Sequence, residues 1–434
     1  MKRRTFIEAS AASATAAAAL TVLGGCTGES TETQVSNGTD TLAGYSLEEL
    51  RELYRYDLFD DFMPFLYKHV VDHKYGGFMC NTDRDGTKIT GNKRTWYEGR
   101  GIWVSSHLFN TLDPDPKHVE IARKSVEFIM KLDPGAKELW PSGMTREGKP
   151  LGGPDTLFYG DMFLANGFQE YSKASGEDQW WDTAKDILLK CLDIYDNRPN
   201  YGNLPAKEGA PELVRPRLIG HWFVLLRATT QMLEKRDDPE LLAINDRCID
   251  AIMNYHYNPD YGLFNEYVNH DLSRIDNDYG QAVTGHGLET MWMVMFEAVR
   301  RGDKVLFDTA ATRLKRSIEV FWDDVYGGML AGLEHVDKNI WTTSKSLWLQ
   351  EEILIAAMCV YEHTGAQWAK EWFNKQYTYV RNTYPLKPRG HAIWNLYGDR
   401  KMAYVERATR VGNFHHPRHL MINIQALDRM MART

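Results

Sequence analysis

Cysteine is scarce in this 434-residue chain, and the four that follow Cys26 stand far apart, at Cys80, Cys191, Cys248 and Cys359. No C-x-x-C pair occurs, which speaks against structural zinc and leaves disulfides possible but not demanded. Long apolar runs are lacking after the N-terminal segment, so the body has no stretch that would span a bilayer. Basic clusters are lacking as well. Acidic residues outnumber basic ones, 59 to 51, and no basic face is set out to meet nucleic acid. There is no G-x-S-x-G, H-E-x-x-H or Walker sequence, and Gly285-His286-Gly287 lacks the third glycine and the preceding strand of a dinucleotide site.

What is present begins with an export address over residues 1–26. Paired Arg3-Arg4 precede a weakly apolar, Ala-rich run that ends Leu23-Gly24-Gly25-Cys26. The arginine pair resembles a twin-arginine signal and the ending resembles a lipobox, in which Cys26 is lipidated. The expectation is a periplasmic or outer-membrane-associated lipoprotein whose body meets the membrane only through its lipid. A protein folded before export would keep its other cysteines as buried free thiols. Residues 27–44, rich in Thr, Ser, Gly and Asn, read as a flexible tether, and residues 45–434 as one domain.

That domain is patterned for helices. Ser46-x-x-Glu49 is a capping-box signature. Leu288, Met291, Trp292, Met295, Phe296 and Val299 keep the i, i+3, i+4, i+7 spacing of an amphipathic helix. The periodicity predicts about twelve helices, near 46–72, 95–111, 116–132, 156–175, 178–196, 213–235, 238–256, 285–301, 304–320, 344–363, 366–381 and 416–432. A Tyr-Gly turn recurs between them at Tyr75-Gly76, Tyr261-Gly262 and Tyr326-Gly327. Twelve helices with a recurring turn imply an all-α fold of six hairpins, an (α/α)6 barrel with short strands or turns on one face. The more apolar helices would form the inner ring, and their loop-side ends would line a central funnel.

Two histidines stand at helix mouths. His286 and Glu289 are spaced i, i+3, so they share a helix face and point into one cavity. A carboxylate beside an imidazole raises its proton affinity and fixes its orientation, as a general acid/base near neutral pH requires. His415, in Phe414-His415-His416-Pro417-Arg418, lies three residues before Arg418. His416 and His419 raise the question of a metal, but Pro417 fixes the turn so that His415 points away from His419, and no metal site is expected. His221 alone reads as a core histidine. Arg100, between Trp96 and Trp103, reads as cation–π structure or as an anion and enolate clamp. Lys345, Trp348 and Glu352 share a face that alone reads as charged and solvated. A glycoside hydrolase would need two facing carboxylates, and Asp155, Asp161, Asp324 and Glu352 keep that option open.

Together these segments resemble the N-acylglucosamine 2-epimerase superfamily, which includes cellobiose 2-epimerases and mannose isomerases. The resemblance rests on Trp96-x-x-x-Arg100, the Arg217–His221 segment, Gly285-His286-x-x-Glu289-x-x-Trp292, Lys345-x-x-Trp348-x-Gln350-x-Glu352 and Phe414-His415-x-Pro417-Arg418, in the family's order from about Leu50 onward. It implies an (α/α)6 barrel that epimerises or isomerises a reducing sugar without a redox cofactor, through proton transfer at C2. By the resemblance, His286 and His415 are the acid/base pair and Glu289 is the orienter. Arg100 and His221 bind the open-chain sugar, Trp348 stacks on it, and Trp96, Glu352 and Arg418 complete the binding site. The sequence departs from the family at Leu347, which replaces the first of two tryptophans, and at Glu98, where glutamine is common. The rival readings are a hydrolase or lyase on the same barrel and a non-catalytic sugar-binding lipoprotein.

Overall fold

A helix that is apolar all round must be buried, whereas one with a single apolar stripe keeps its other face in water. Both kinds alternate along this chain. The computed structural model describes residues 41–199, 202–204, 212–275, 281–391, 393–401 and 407–433. Twelve helical rods follow one another among them: α1 (47–70, with two stretches of π-type winding), α2 (Thr95–Thr111), α3 (Pro116–Met130), α4 (Tyr159–Ser175), α5 (Gln179–Asn197) and α6 (Ile219–Lys235), then α7 (239–256), α8 (Thr284–Arg301), α9 (Lys304–Phe321), α10 (Leu347–Thr364), α11 (Gln367–Thr383) and α12 (His415–Met431). The even-numbered helices are buried almost continuously, as over residues 160–172 of α4. The odd-numbered ones bury a stripe, such as Phe307, Ala310, Ala311, Leu314 and Ile318 of α9.

The even helices form an inner ring in chain order, closed where α12 packs back on α2. Each odd helix covers one of them from outside, α3 over α2 and so on round to α1 over α12. The fold is therefore an (α/α)6 barrel. The tightest approach in the ring is α2 on α4. A Cβ at Gly99 would lie 2.3 Å from the Phe163 carbonyl carbon, so only glycine permits it.

Two expected boundaries move. The helix expected over 213–235 starts at Ile219, because Arg217–Leu218 pairs as a strand with Tyr267–Val268 and Pro216 keeps the preceding backbone out of the helical region. The expected tether ends sooner than residue 44, since Thr41–Leu42 pairs with Tyr45–Ser46 and Leu42 is buried. Residues 1–40, Cys26 included, lie outside the described residues. The cysteines Cys80, Cys191, Cys248 and Cys359 are all buried and free, as expected.

The Tyr-Gly turns reverse the chain after outer helices and are closed by antiparallel pairs, Val71 with Phe78, Tyr257 with Phe264, and Trp322 with Met329. The first and third are near copies. Asp72 Oδ1 accepts the backbone N–H groups of Lys74 and Tyr75, and Asp323 Oδ1 those of Val325 and Tyr326. Lys93 Nζ bridges Asp72 to the Gly76 carbonyl, and Lys345 Nζ bridges Asp323 to the Gly327 carbonyl. Arg146 and Arg400 clamp the same two aspartates from outside. One side chain on the following inner helix then accepts from the turn. Glu98 Oε1 takes the Phe78 N–H at 3.0 Å, and Gln350 Oε1 takes the Met329 N–H at 2.8 Å. Burial holds the Glu98 carboxyl up to about 8, so near neutral pH it is protonated and stands in for an amide. Glutamate where glutamine is common is thus a conservative exchange in this setting.

Candidate active site

Short strands lead into the inner helices on one face, Lys93–Arg94 before α2, Arg217–Leu218 before α6, Ala282–Val283 before α8 and Lys345–Ser346 before α10. On that face the first two turns of the six inner helices surround a cavity of about 250 Å³. Helix N-termini carry partial positive charge, so six of them facing one space favour an anion forming there. Trp96, Tyr97 and Arg100 come from α2, Tyr159 and Phe163 from α4, and His286 and Glu289 from α8. Trp348 and Glu351 come from α10, His415 and His416 from α12, and Tyr397 and Arg410 from the segment before α12.

Trp348 lies between the two expected histidines, its ring centroid 5.8 Å from His286 and 5.1 Å from His415. It fits there because residue 285 is glycine. A Cβ at Gly285 would come within 2.1 Å of the indole. The two imidazoles meet different charge through their Nδ1 atoms. His286 Nδ1 is 2.9 Å from both oxygens of Glu266. Burial alone would lower its proton affinity, but Glu266, with Glu289 and Glu352 behind it, raises the net value. His415 Nδ1 is 2.9 Å from Glu352 Oε1 and 3.1 Å from Arg418 Nη2. Burial, with Arg418 and Arg100 beside it, holds His415 well below the ordinary imidazole value. With a carboxylate at each Nδ1, the favoured tautomer carries its proton there and leaves Nε2 for a bound molecule.

Arg100 packs its guanidinium against Trp96, Phe163 and Phe414, at 4.4, 4.1 and 4.9 Å from their ring centroids. Trp96, Tyr159 and Phe163 stack in near-parallel planes as an apolar wall, the kind of surface that accepts a sugar's C–H face. On the other side Glu351 accepts from His416 Nδ1 at 2.5 Å. Among the described residues two donor groups have their atoms close enough for a cation, Glu351 with His416 and His419, and Glu289 with Glu352 and His415. In the first, Glu351 is already hydrogen-bonded to His416, and His419 turns its Nε2 to the Tyr54 hydroxyl. In the second the Arg418 guanidinium, at 2.7 Å from Glu289 and 2.5 Å from Glu352, already supplies the positive charge.

Residues 76–417 match the family model of N-acylglucosamine 2-epimerase (GlcNAc 2-epimerase). The chain belongs to this family. The N-acylglucosamine 2-epimerase of Bos taurus is 24% identical over 410 residues, covering 91% of this chain and 94% of that protein. Among solved structures, the cellobiose 2-epimerase of Spirochaeta thermophila superposes with a TM-score of 0.75 at 16% identity, covering 89% of this chain and 98% of that one. A glycoside hydrolase family 76 mannosidase of Bacteroides thetaiotaomicron reaches 0.61 at 10% identity, covering 89% of this chain and 100% of that one, so this barrel also serves glycosidases. Family membership makes the protein a carbohydrate epimerase or isomerase.

For this family member the expected site residues divide into those that reach the cavity and those that stand behind it. His286, His415, Glu289, Arg100, Trp96 and Trp348 line it. Glu289 does not orient His286, however. Its carboxylate is taken by Arg418, and the orienter is Glu266, contributed by the loop that the Arg217–Leu218 strand pairing brings alongside α8. Glu352 and Arg418 are buried behind the cavity lining and contact His415. His221 is also one layer back. It lies among Phe158, Tyr159 and Tyr195, and burial lowers it to about 3, so it is neutral. The face of Lys345 and Glu352 is not solvated, since both are fully buried in ion pairs. Sequence patterns missed Glu266, Glu351, Arg410 and His416. The sequence raises His416 only as a metal ligand with His419, and Glu266 has no spacing signal because a non-local strand pair places it.

Proposed function

We propose that this carbohydrate epimerase works on an open-chain reducing sugar, with His415 as the base and His286 as the acid. The observation that carries the assignment is the opposite displacement of two imidazoles in one cavity, His415 shifted toward its neutral form and His286 toward its protonated form. His415 Nε2 takes the C2 proton. The C–H electron pair moves into the C1–C2 bond, and the aldehyde oxygen becomes the enediolate oxygen. Arg100 and the six helix N-termini stabilise that negative charge. His286 then gives a proton to the opposite face of C2, and the aldehyde re-forms as the epimer. Delivery at C1, with the O2 hydroxyl proton passing to O1, would give the ketose instead. Exchange with water resets the two histidines.

Incubating reducing sugars, N-acylglucosamine and cellobiose among them, with the protein in D₂O is expected to give product deuterated at C2 by NMR. Product without solvent label would rule out this route. A hydrolase reading is not favoured, because Glu289 is ion-paired to Arg418 and Glu351 is hydrogen-bonded to His416, leaving no free pair of acids in the cavity among the described residues. The paired arginines and the Leu-Gly-Gly-Cys sequence support export by the twin-arginine route and lipid attachment at Cys26. Cys26→Ser is expected to release the protein from the membrane fraction, and unchanged fractionation would count against the anchor.

A further inference from the structure

Arg410 lines the cavity with no acid among the described residues paired to it. Its Nη1 donates to the Tyr97 hydroxyl at 2.7 Å and its Nη2 to the Tyr397 hydroxyl, both neutral groups. No carboxylate among the described residues forms an ion pair with it. The two acids in the cavity wall are engaged elsewhere, Glu289 with Arg418 and Glu351 with His416. A guanidinium has five N–H donors, and two of them are spent on the tyrosines. The tyrosines therefore fix the head without neutralising it, leaving a pre-oriented fork suited to a planar or tetrahedral anion. Tyr397 is 42% exposed, which puts Arg410 toward the open side of the cavity, away from the buried carboxylates that hold the two histidines. Arg100, whose charge the nearby Glu289 favours, lies beside His415 and serves the enediolate. Arg410 thus carries a positive charge that the proton-transfer steps do not use.

We infer that the sugar handled at this site bears an anionic substituent remote from C1 and C2, a carboxylate, phosphate or sulfate, that Arg410 binds. The inference rests on the epimerase reading for its placement of the reacting carbons. It is tested by titrating the full chain, through the fluorescence of the cavity tryptophans, with D-glucose, D-glucuronate, D-glucose 6-phosphate and D-glucose 6-sulfate. At low salt at least one anionic sugar is expected to bind about tenfold or more tightly than glucose, and the advantage is expected to shrink at high salt. Which of the three gains most identifies the anion. In Arg410→Gln the ratio of anionic to neutral affinity is expected to fall to about one, and in Arg410→Lys to be partly kept. Equal affinities across the wild-type series would overturn the inference without need of any variant, and so would a preference that survives Arg410→Gln. C2 deuteration in the same mixtures reports separately on the proton-transfer reading. Label without anion preference would sink only this inference, and anion preference without label only that reading.

Discussion

Two imidazoles in one cavity differ because one carboxylate stands alone and the other does not. Glu266 faces His286 Nδ1 without a competing cation, whereas Glu352 shares His415 with Arg418. The active form needs His415 neutral and His286 protonated, so kcat/KM should rise as pH climbs past the lowered His415 value. It should fall again above the raised His286 value, giving a bell that brackets the ordinary imidazole range. Glu266→Gln removes the charge that holds the His286 proton. The alkaline limb is then expected to move to lower pH, with kcat down by roughly 10–100-fold, as for other lost partners of a working histidine. An unchanged alkaline limb in a pH-rate series would rule out Glu266 as the orienter. The sequence made His286 and Glu289 visible as a pair because i, i+3 spacing is local. It could not show that Arg418, from another helix 129 positions away, claims the carboxylate.

At the scale of elements, the two near-identical turns act as rivets between an outer helix and the next inner one. Each buries a lysine–aspartate pair and hands one backbone N–H to a side chain on that inner helix. In the first turn that side chain is Glu98, whose proton affinity is raised from 4.5 to about 8. The folded chain therefore binds more protons than the unfolded chain between those values. Stability declines as pH rises through that window, and the full cost of up to a few kcal/mol applies above it. Glu98→Gln keeps the acceptor and removes the titration. Thermal unfolding at pH 9 should show the variant more stable than the parent, and at pH 5 the two nearly equal. A variant less stable at pH 9 would contradict a protonated Glu98. The Tyr-Gly repeat flagged these turns in the sequence, but it could not show that Asp72 and Asp323 organise them, since their lysine and arginine partners arrive from later segments.

For the whole molecule, α12 closes the inner ring on α2 and the first helix, α1, closes the outer layer over α12. Tyr54 of α1 receives hydrogen bonds at its hydroxyl from Asn423 of α12 and shares one with His419, deep between the two helices. Tyr54→Phe leaves buried His419 Nε2 without its partner and removes the shorter of two hydrogen bonds from Asn423, which costs about 1–3 kcal/mol. A lowered unfolding temperature is expected. Because α12 carries His415, a loss of activity at temperatures below the main transition should accompany it. An unchanged unfolding profile would show that closure does not depend on this contact.

Helix periodicity and turn chemistry are properties of neighbouring residues, so the chain by itself determined the twelve helices, their alternation and the six-hairpin barrel. The same local spacing put His286, Glu289, Trp348, Arg100 and His415 at helix beginnings, and barrel closure then turns every inner helix beginning toward one cavity. Which carboxylate meets which histidine, why His221 stands behind Tyr159, and where Arg410 keeps an unbalanced charge were decided only by the tertiary structure. Those relations join residues on different hairpins. The energy that fixes them is the cost of burying charge, which depends on what else is buried beside it and not on distance along the chain.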